Sequence, residues 1–286
     1  MPDWSVVRRN IRVASLSFAL VFGVVYVGLC WLFWAYEPVF VFYNLKRPEI
    51  APESAGLKGF AEVGVTTEDG VRLYGWWRPP EPGHGAIVVF TGTGVTLSDY
   101  AGLLGDLAAH RFGVLGIDYR GNGASPGTPS EAAWRSDARA AFDFVHAAAP
   151  QSKIVALGQS MGTGFAVGLA LDRPAVGVLL DSPYASVVRL FARGGMPLLR
   201  GVPFPARLLM TDTIDSEAMI GRLRVPVMML HGTEDYAIPI DEARRLYAAA
   251  REPKELIEVA GAGHAAVWFG PTRDRALAAL AAWTAP

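Results

Sequence analysis

Lys153-Ile154-Val155-Ala156-Leu157-Gly158-Gln159-Ser160-Met161-Gly162 is the stretch on which the reading of this chain turns. Residues 154–157 are apolar and partly β-branched, the pattern of a buried strand. The next run, Gly164-Phe165-Ala166-Val167-Gly168-Leu169-Ala170-Leu171, reads as a buried helix. A G-x-S-x-G set between a strand and a helix is a sharp turn that lifts its serine hydroxyl above the sheet edge. Such a turn forces Ser160 into a sparsely populated backbone conformation. Gly158 and Gly162 flank it because a Cβ at either place would collide with the neighbouring strand or helix. The hydroxyl also comes to a helix N-terminus, where backbone N–H groups and the dipole favour developing negative charge. Ser160 is therefore the candidate nucleophile.

Working outward, strands alternate with helices. Apolar runs at residues 86–90 and 114–118 precede the serine, those at 176–180 and 226–230 follow it, and residues 254–259 read as the last strand. Runs of this kind mark strands buried on both faces. Helical patterns lie at residues 98–111, 240–250 and 273–283. Another runs to residue 149, with Thr128 as its cap, Pro129 at its first position and Glu131 closing a capping box. Residues 62–67 and 71–77 alternate in polarity around Glu68-Asp69-Gly70, which predicts an antiparallel edge hairpin. The sum is an α/β fold, an eight-stranded, mostly parallel sheet with helices on both faces. Residues 182–224 have loop and short-helix character, too short for a separate domain, so any lid is small. Their apolar side chains, among them Leu190, Phe191, Met196, Phe204 and Met210, pack on the sheet or line an acyl pocket.

Composition bounds the rest. The chain has 286 residues and a formal net charge of −1, which leaves no electrostatic footprint for nucleic acid. The single cysteine, Cys30, excludes an intrachain disulfide. Residues 13–36 hold no charged side chain and are long enough to cross the roughly 30 Å hydrocarbon core as a helix. Trp31, Trp34, Tyr36, Phe40 and Tyr43 cluster at the far end, as an interfacial aromatic belt would. The run is longer than a signal-peptide core, and no A-x-A site ends it. Arg8, Arg9 and Arg12 precede it, whereas Lys46 and Arg47 lie beyond it. That bias predicts the N-terminus inside and the bulk of the chain extracytoplasmic. The organisation expected is a basic flank at residues 1–12, a transmembrane helix at 13–36, a juxtamembrane linker at 37–59 and one catalytic domain at 60–286.

A serine hydroxyl needs a base to take its proton and a third group to orient that base. In this topology the acid and then the histidine come after the serine, each on a loop at the end of a strand. Among the 5 histidines, His264 fits in order and place, on the glycine-rich loop Gly261-Ala262-Gly263-His264. His231 precedes the carboxylates Glu234 and Asp235, so it reads as a loop-ordering residue. An oxyanion formed on attack needs two N–H donors. The backbone N–H of Met161 is one. The loop Thr91-Gly92-Thr93-Gly94 supplies the other, the N–H of Thr93. No phosphate-binding G-x-x-x-x-G-K-[ST] and no metal-ligand spacing occurs, so no cofactor and no metal are expected.

Five blocks, in order, carry a resemblance. Asp118-Tyr119-Arg120-Gly121-Asn122-Gly123-Ala124-Ser125-Pro126-Gly127-Thr128-Pro129-Ser130-Glu131 is similar to a DYRGYGxSxGxPSE block. Gly158–Gly162, Asp181-Ser182-Pro183-Tyr184, residues 226–239 and Gly261–His264 supply the others. From Phe60 onward the chain resembles the α/β-hydrolases of the serine aminopeptidase or hydrolase-4 branch, which includes α/β-hydrolase domain-containing proteins 13 and 17. The resemblance implies Asp235 as the acid and allows a membrane anchor ahead of the domain. It implies an esterase, lipase or thioesterase acting on an acyl substrate, with no fixed substrate identity. Where many members carry His-Gly-Asn, this chain has Thr91-Gly92-Thr93. A silent fold of this type would show a gap in the triad, and no position is empty here. The same residues would also serve acyl transfer to an acceptor other than water.

Overall fold

The structure is a computed structural model that describes residues 3–43, 45–47, 50–193 and 204–285. An eight-stranded sheet runs β1-β2-β4-β3-β5-β6-β7-β8. Its strands are β1 (Ala61–Thr66), β2 (Arg72–Arg78), β3 (Ala86–Phe90), β4 (Gly113–Ile117), β5 (Ile154–Gln159), β6 (Gly177–Asp181), β7 (Val227–Gly232) and β8 (Lys254–Val259). β1 and β2 pair antiparallel, as do β2 and β4, and every other pairing is parallel. The central strands are buried except for Gln159 at the end of β5, because helices cover both faces.

The pleat sorts the side chains. Ile87, Val89, Val155, Leu157, Leu179 and Leu230 face one core, with Leu104 and Leu107 of α3 (Ala101–Ala109) and Leu280 of α10 (Gly270–Thr284). Val88, Phe90, Ala156, Leu180 and Met229 face the other. That core takes in α4 (Glu131–Ala148), α5 (Gly162–Asp172), α8 (Ser216–Ile220) and α9 (Ile240–Ala249). Its centre is an aromatic stack of Tyr119 on Trp134, 4.0 Å between ring centroids.

The start of α4 differs from the sequence expectation. Ser130, not Thr128, is the cap, accepting from the Ala133 N–H at 3.1 Å. Glu131 closes no capping box. Its carboxylate accepts from the N–H groups of Thr213 and Ile214, and its own N–H donates to Asp212. Both residues are competent caps, and this long-range contact selects between them.

At the N-terminus, α1 (Trp4–Ala35) begins nine residues before the charge-free run, because Asp3 caps it by accepting from the Ser5 N–H. It is long and apolar enough to cross a membrane, with a mean hydropathy of 2.3. Almost all of it is exposed, and the one buried side chain is in its last turn. There Phe33 is buried edge-on against Phe204, 4.7 Å between centroids, and beside Phe191 and Phe40.

The segment after α1 is no free spacer. In α2 (Glu37–Phe42), Glu37 is buried and accepts from the backbone N–H of Thr211 and Asp212 and from the Thr211 hydroxyl, all within 2.6–2.9 Å. Val41 and Phe42 join the core, with Phe42 packed on Trp134 at 4.7 Å. The expected linker therefore starts as part of the domain. Its apolar side chains supply the burial, and one carboxylate satisfies three donors.

Candidate active site

Parallel register brings the carboxyl ends of β3, β5 and β6 side by side, with Phe90 opposite Gly158 and Gln159 opposite Asp181. The site lies on this edge. Between β5 and α5 the chain turns at Ser160 with φ +53°, a left-handed conformation uncommon for a side chain of this type. The turn is forced by two close approaches. A Cβ on Gly158 would lie 2.5 Å from the Gly162 carbonyl oxygen, and one on Gly162 would lie 2.1 Å from that of Phe90. The Ser160 N–H donates to the Asp181 carbonyl at 2.9 Å, tying the turn to β6.

The serine stands at one end of a hydrogen-bonded chain. The Ser160 hydroxyl lies 3.0 Å from Nε2 of His264, and Nδ1 of that ring lies 2.8 Å from Oδ2 of Asp235. Asp235 Oδ1 accepts from the N–H groups of Ala237 and Ile238. Burial pushes the Asp235 carboxyl up, but the hydrogen bonds from His264 and the Ile238 N–H outweigh it and hold the group below its ordinary value. With Oδ2 accepting from Nδ1–H, the neutral ring offers Nε2 to the serine as an acceptor. Glu234 makes no contact with the histidine. His231 is fully buried and donates Nε2–H to the Ile238 carbonyl at 2.8 Å, bracing the loop that carries Asp235.

The loop after β3 reaches the serine from the other side. A Cβ on Gly92 would lie 3.2 Å from the Ser160 Cβ. The Gly92 N–H donates to the Tyr100 hydroxyl at 2.8 Å, and the Gly94 N–H donates to the Tyr43 carbonyl at 2.9 Å. Between them, the Thr93 N–H donates to no described group. The Met161 N–H is likewise uncommitted.

Sequence reasoning passed over two residues. Asp181 ends β6, fully buried, accepting from Gln159 Nε2 at 2.6 Å and from the Ser182 hydroxyl at 3.1 Å. Burial raises its carboxyl to about 6, against the pull of those two hydrogen bonds and of His264. Ser182 has φ +53° and its Oγ accepts from the N–H of Ala265, the residue after the histidine. The Asp-Ser-Pro-Tyr block was visible, but no spacing rule links it to His264, 82 residues away along the chain by numbering.

A cavity of about 540 Å³ opens beside the serine, lined by Val95, Tyr100, Leu103, Gln159, Ala265, Trp268 and Phe269 among others. Gln159 and Ala265 directly neighbour Ser160 and His264 along the chain. The cavity lies between α3 and the loop ahead of α10, so none of the described residues of 182–224 lines it. Met196, one of the apolar side chains expected to pack on the sheet or line a pocket, lies outside the described residues.

Residues 81–209 match the family described as serine aminopeptidase, S33. The chain is 33% identical over 257 residues to the uncharacterized protein Rv2307c of Mycobacterium tuberculosis, covering 88% of this chain and 89% of that one. It belongs to this family of α/β-hydrolases. Among solved structures it resembles the Pyrococcus furiosus esterase Pf2001, with a TM-score of 0.69 and 19% identity over 84% of this chain and 95% of that one. The Paleococcus ferrophilus monoacylglycerol lipase superposes with a TM-score of 0.56 at 23% identity, covering 74% of this chain and 99% of that one. These likenesses at low identity concern the fold.

Proposed function

We propose that the chain is a membrane-anchored serine hydrolase that cleaves an acyl ester or thioester. The observation that carries this reading is the continuous Ser160–His264–Asp235 hydrogen-bonded chain on a turn built to expose the serine. In the first half-reaction Ser160 Oγ attacks the acyl carbonyl carbon as its proton passes to His264 Nε2. Asp235 holds the Nδ1–H and stabilises the imidazolium that forms. The carbonyl oxygen becomes an oxyanion between the N–H groups of Met161 and Thr93. Collapse expels the alcohol or thiol, which takes the proton from Nε2, and leaves an acyl-serine. Water then attacks that ester by the same route and releases the acid.

The cavity beside the serine suits an apolar acyl chain, because Leu103, Trp268 and Phe269 present carbon surface to it. The span supports an anchor, and the charges support the predicted orientation. Among the described residues, Arg8, Arg9 and Arg12 form no ion pair, whereas Lys46 donates to the Ser125 carbonyl and Arg47 pairs with Asp99. By count, Arg8, Arg9 and Arg12 on the N-terminal flank outnumber Lys46 and Arg47 beyond the span, the bias that favours the N-terminus inside.

A fluorophosphonate probe tests the chemistry. The full-length protein in detergent should label, and Ser160→Ala should not. Equal labelling of both would remove Ser160 from the reaction. A p-nitrophenyl ester series should favour medium or long chains, and Leu103→Trp should move the optimum shorter; an unchanged profile would place the acyl chain elsewhere. Protease added to sealed right-side-out vesicles should digest the domain, and full protection would reverse the orientation.

A further inference from the structure

We infer that the strap joining the apolar helix to the domain is part of the active site's framework, and that Asn122 is the positioning residue that fastens it there. The inference rests on the reading of Thr93 as an oxyanion donor. A donor of this kind works only if it is aimed before charge develops, and aiming one amide means fixing its neighbours. Both neighbours of Thr93 are fixed, and each fixing leads back to the strap.

On the C-terminal side, the Gly94 N–H donates to the Tyr43 carbonyl at 2.9 Å. The Tyr43 ring lies against Gly94 so closely that a Cβ there would fall 2.7 Å from it. Asn122 then clamps strap to loop. It is buried, its Oδ1 accepts from the Leu45 N–H at 2.8 Å, and its Nδ2 donates to the carbonyl of Val95 at 2.6 Å. The neighbouring Gly123 N–H donates to the Leu45 carbonyl, and Lys46 Nζ donates to that of Ser125. On the N-terminal side, the Gly92 N–H is held by Tyr100. Tyr100 belongs to the short helix Leu97–Tyr100, and Arg47 of the strap grips Asp99 of that helix at 3.0 Å to both carboxylate oxygens.

Asn122 also occupies the place where the similar family block has tyrosine. A short amide that both donates and accepts bridges two backbone segments at once, in a space too short for a phenol ring. The two departures of this chain from its family pattern, at Thr91-Gly92-Thr93 and at Asn122, thus meet in one structure. Anchor and oxyanion loop are consequently coupled through four residues of strap, and the chain beyond α1 is more than a means of location.

The test uses the full-length protein in detergent, with p-nitrophenyl butyrate as substrate and fluorophosphonate titration to count active sites. Asn122→Ala should lower kcat per titrated site about tenfold or more while KM stays within about twofold. The loop would still bind substrate but would meet the oxyanion poorly. Leu45→Pro, which removes the strap's N–H together with the Leu45 side chain, fixes the local φ and leaves every domain side chain in place, should show the same kcat-selective loss and serves if Asn122→Ala does not fold. A merely structural role would reduce the number of titratable sites and leave kcat per site unchanged in both variants, and that result overturns the inference. A wild-type protein that neither titrates nor turns over would instead overturn the hydrolase reading, and this inference with it.

Discussion

Two loops meet over the same serine and are held by opposite means. The turn at Ser160 is fixed by contact between backbones: glycines at 158 and 162 lie against the carbonyls of Gly162 and Phe90, with no room for a methyl group. The Thr91–Gly94 loop is fixed from a distance, by Tyr100, by Tyr43 and, through Val95, by Asn122. The first is rigid because nothing else fits. The second is rigid only while three separate segments stay in place. The candidate nucleophile therefore has a local geometry, and the candidate oxyanion loop a distributed one.

That contrast breaks most severely at Gly162→Ala, which should yield no folded, labelling-competent protein, as read by circular dichroism and fluorophosphonate labelling. A Cβ 2.1 Å from a backbone oxygen has no side chain to displace. By contrast Gly94→Ala meets only the edge of an aromatic ring and should fold with impaired kcat, despite its φ of +72°. Next in size is Asp235→Asn. It should leave the fold intact and lower kcat about 10⁴-fold, the scale set by loss of the orienting carboxylate in a serine triad. Tyr100→Phe, which frees the Gly92 N–H without adding bulk, should lower kcat about tenfold in steady-state assays.

Asp181 sharpens the comparison through pH. Its folded value of about 6 lies above the ordinary 3.8, so the folded state holds this proton more tightly than the unfolded chain. Wild-type stability attributable to this group therefore falls as pH rises from about 4 to 6 and stays lower above. Asp181→Asn removes that dependence. Its unfolding free energy in denaturant melts should exceed wild type by an amount that grows across this window, on the order of 3 kcal/mol at most. A gap unchanged between pH 4 and 8 would contradict it. The smallest effect is expected from Arg47→Ala, an exposed pair worth under about 1 kcal/mol. It should change kcat no more than twofold, and less in high salt.

How much of this was legible reflects the same division. The glycines of the Ser160 turn, the sheet and the order of acid and histidine could be read because each is dictated by neighbours within a few residues or by strand order. Asp235 was separated from Glu234 by resemblance alone. Geometry separates them through two backbone N–H bonds that orient one carboxylate. The role of residues 37–47 was illegible. Glu37 meets its partners at a separation of 174 residues, and a proline- and charge-containing stretch reads as a spacer until those partners are in view. The choice of Ser130 over Thr128 had the same cause, since Asp212 and the Thr213 and Ile214 amides arrive from another part of the chain.

One consequence belongs to Phe33. Its ring is enclosed by Phe40, Phe191 and Phe204, one turn before Glu37 is tied to Thr211 and Asp212. A 32-residue helix of about 48 Å is thereby rooted in the body of the protein like a mast in its step. Any tilt given to the mast tilts the hull. Under the proposed membrane-anchored reading, the plane in which α1 settles sets both the height and the heading of the Ser160 opening.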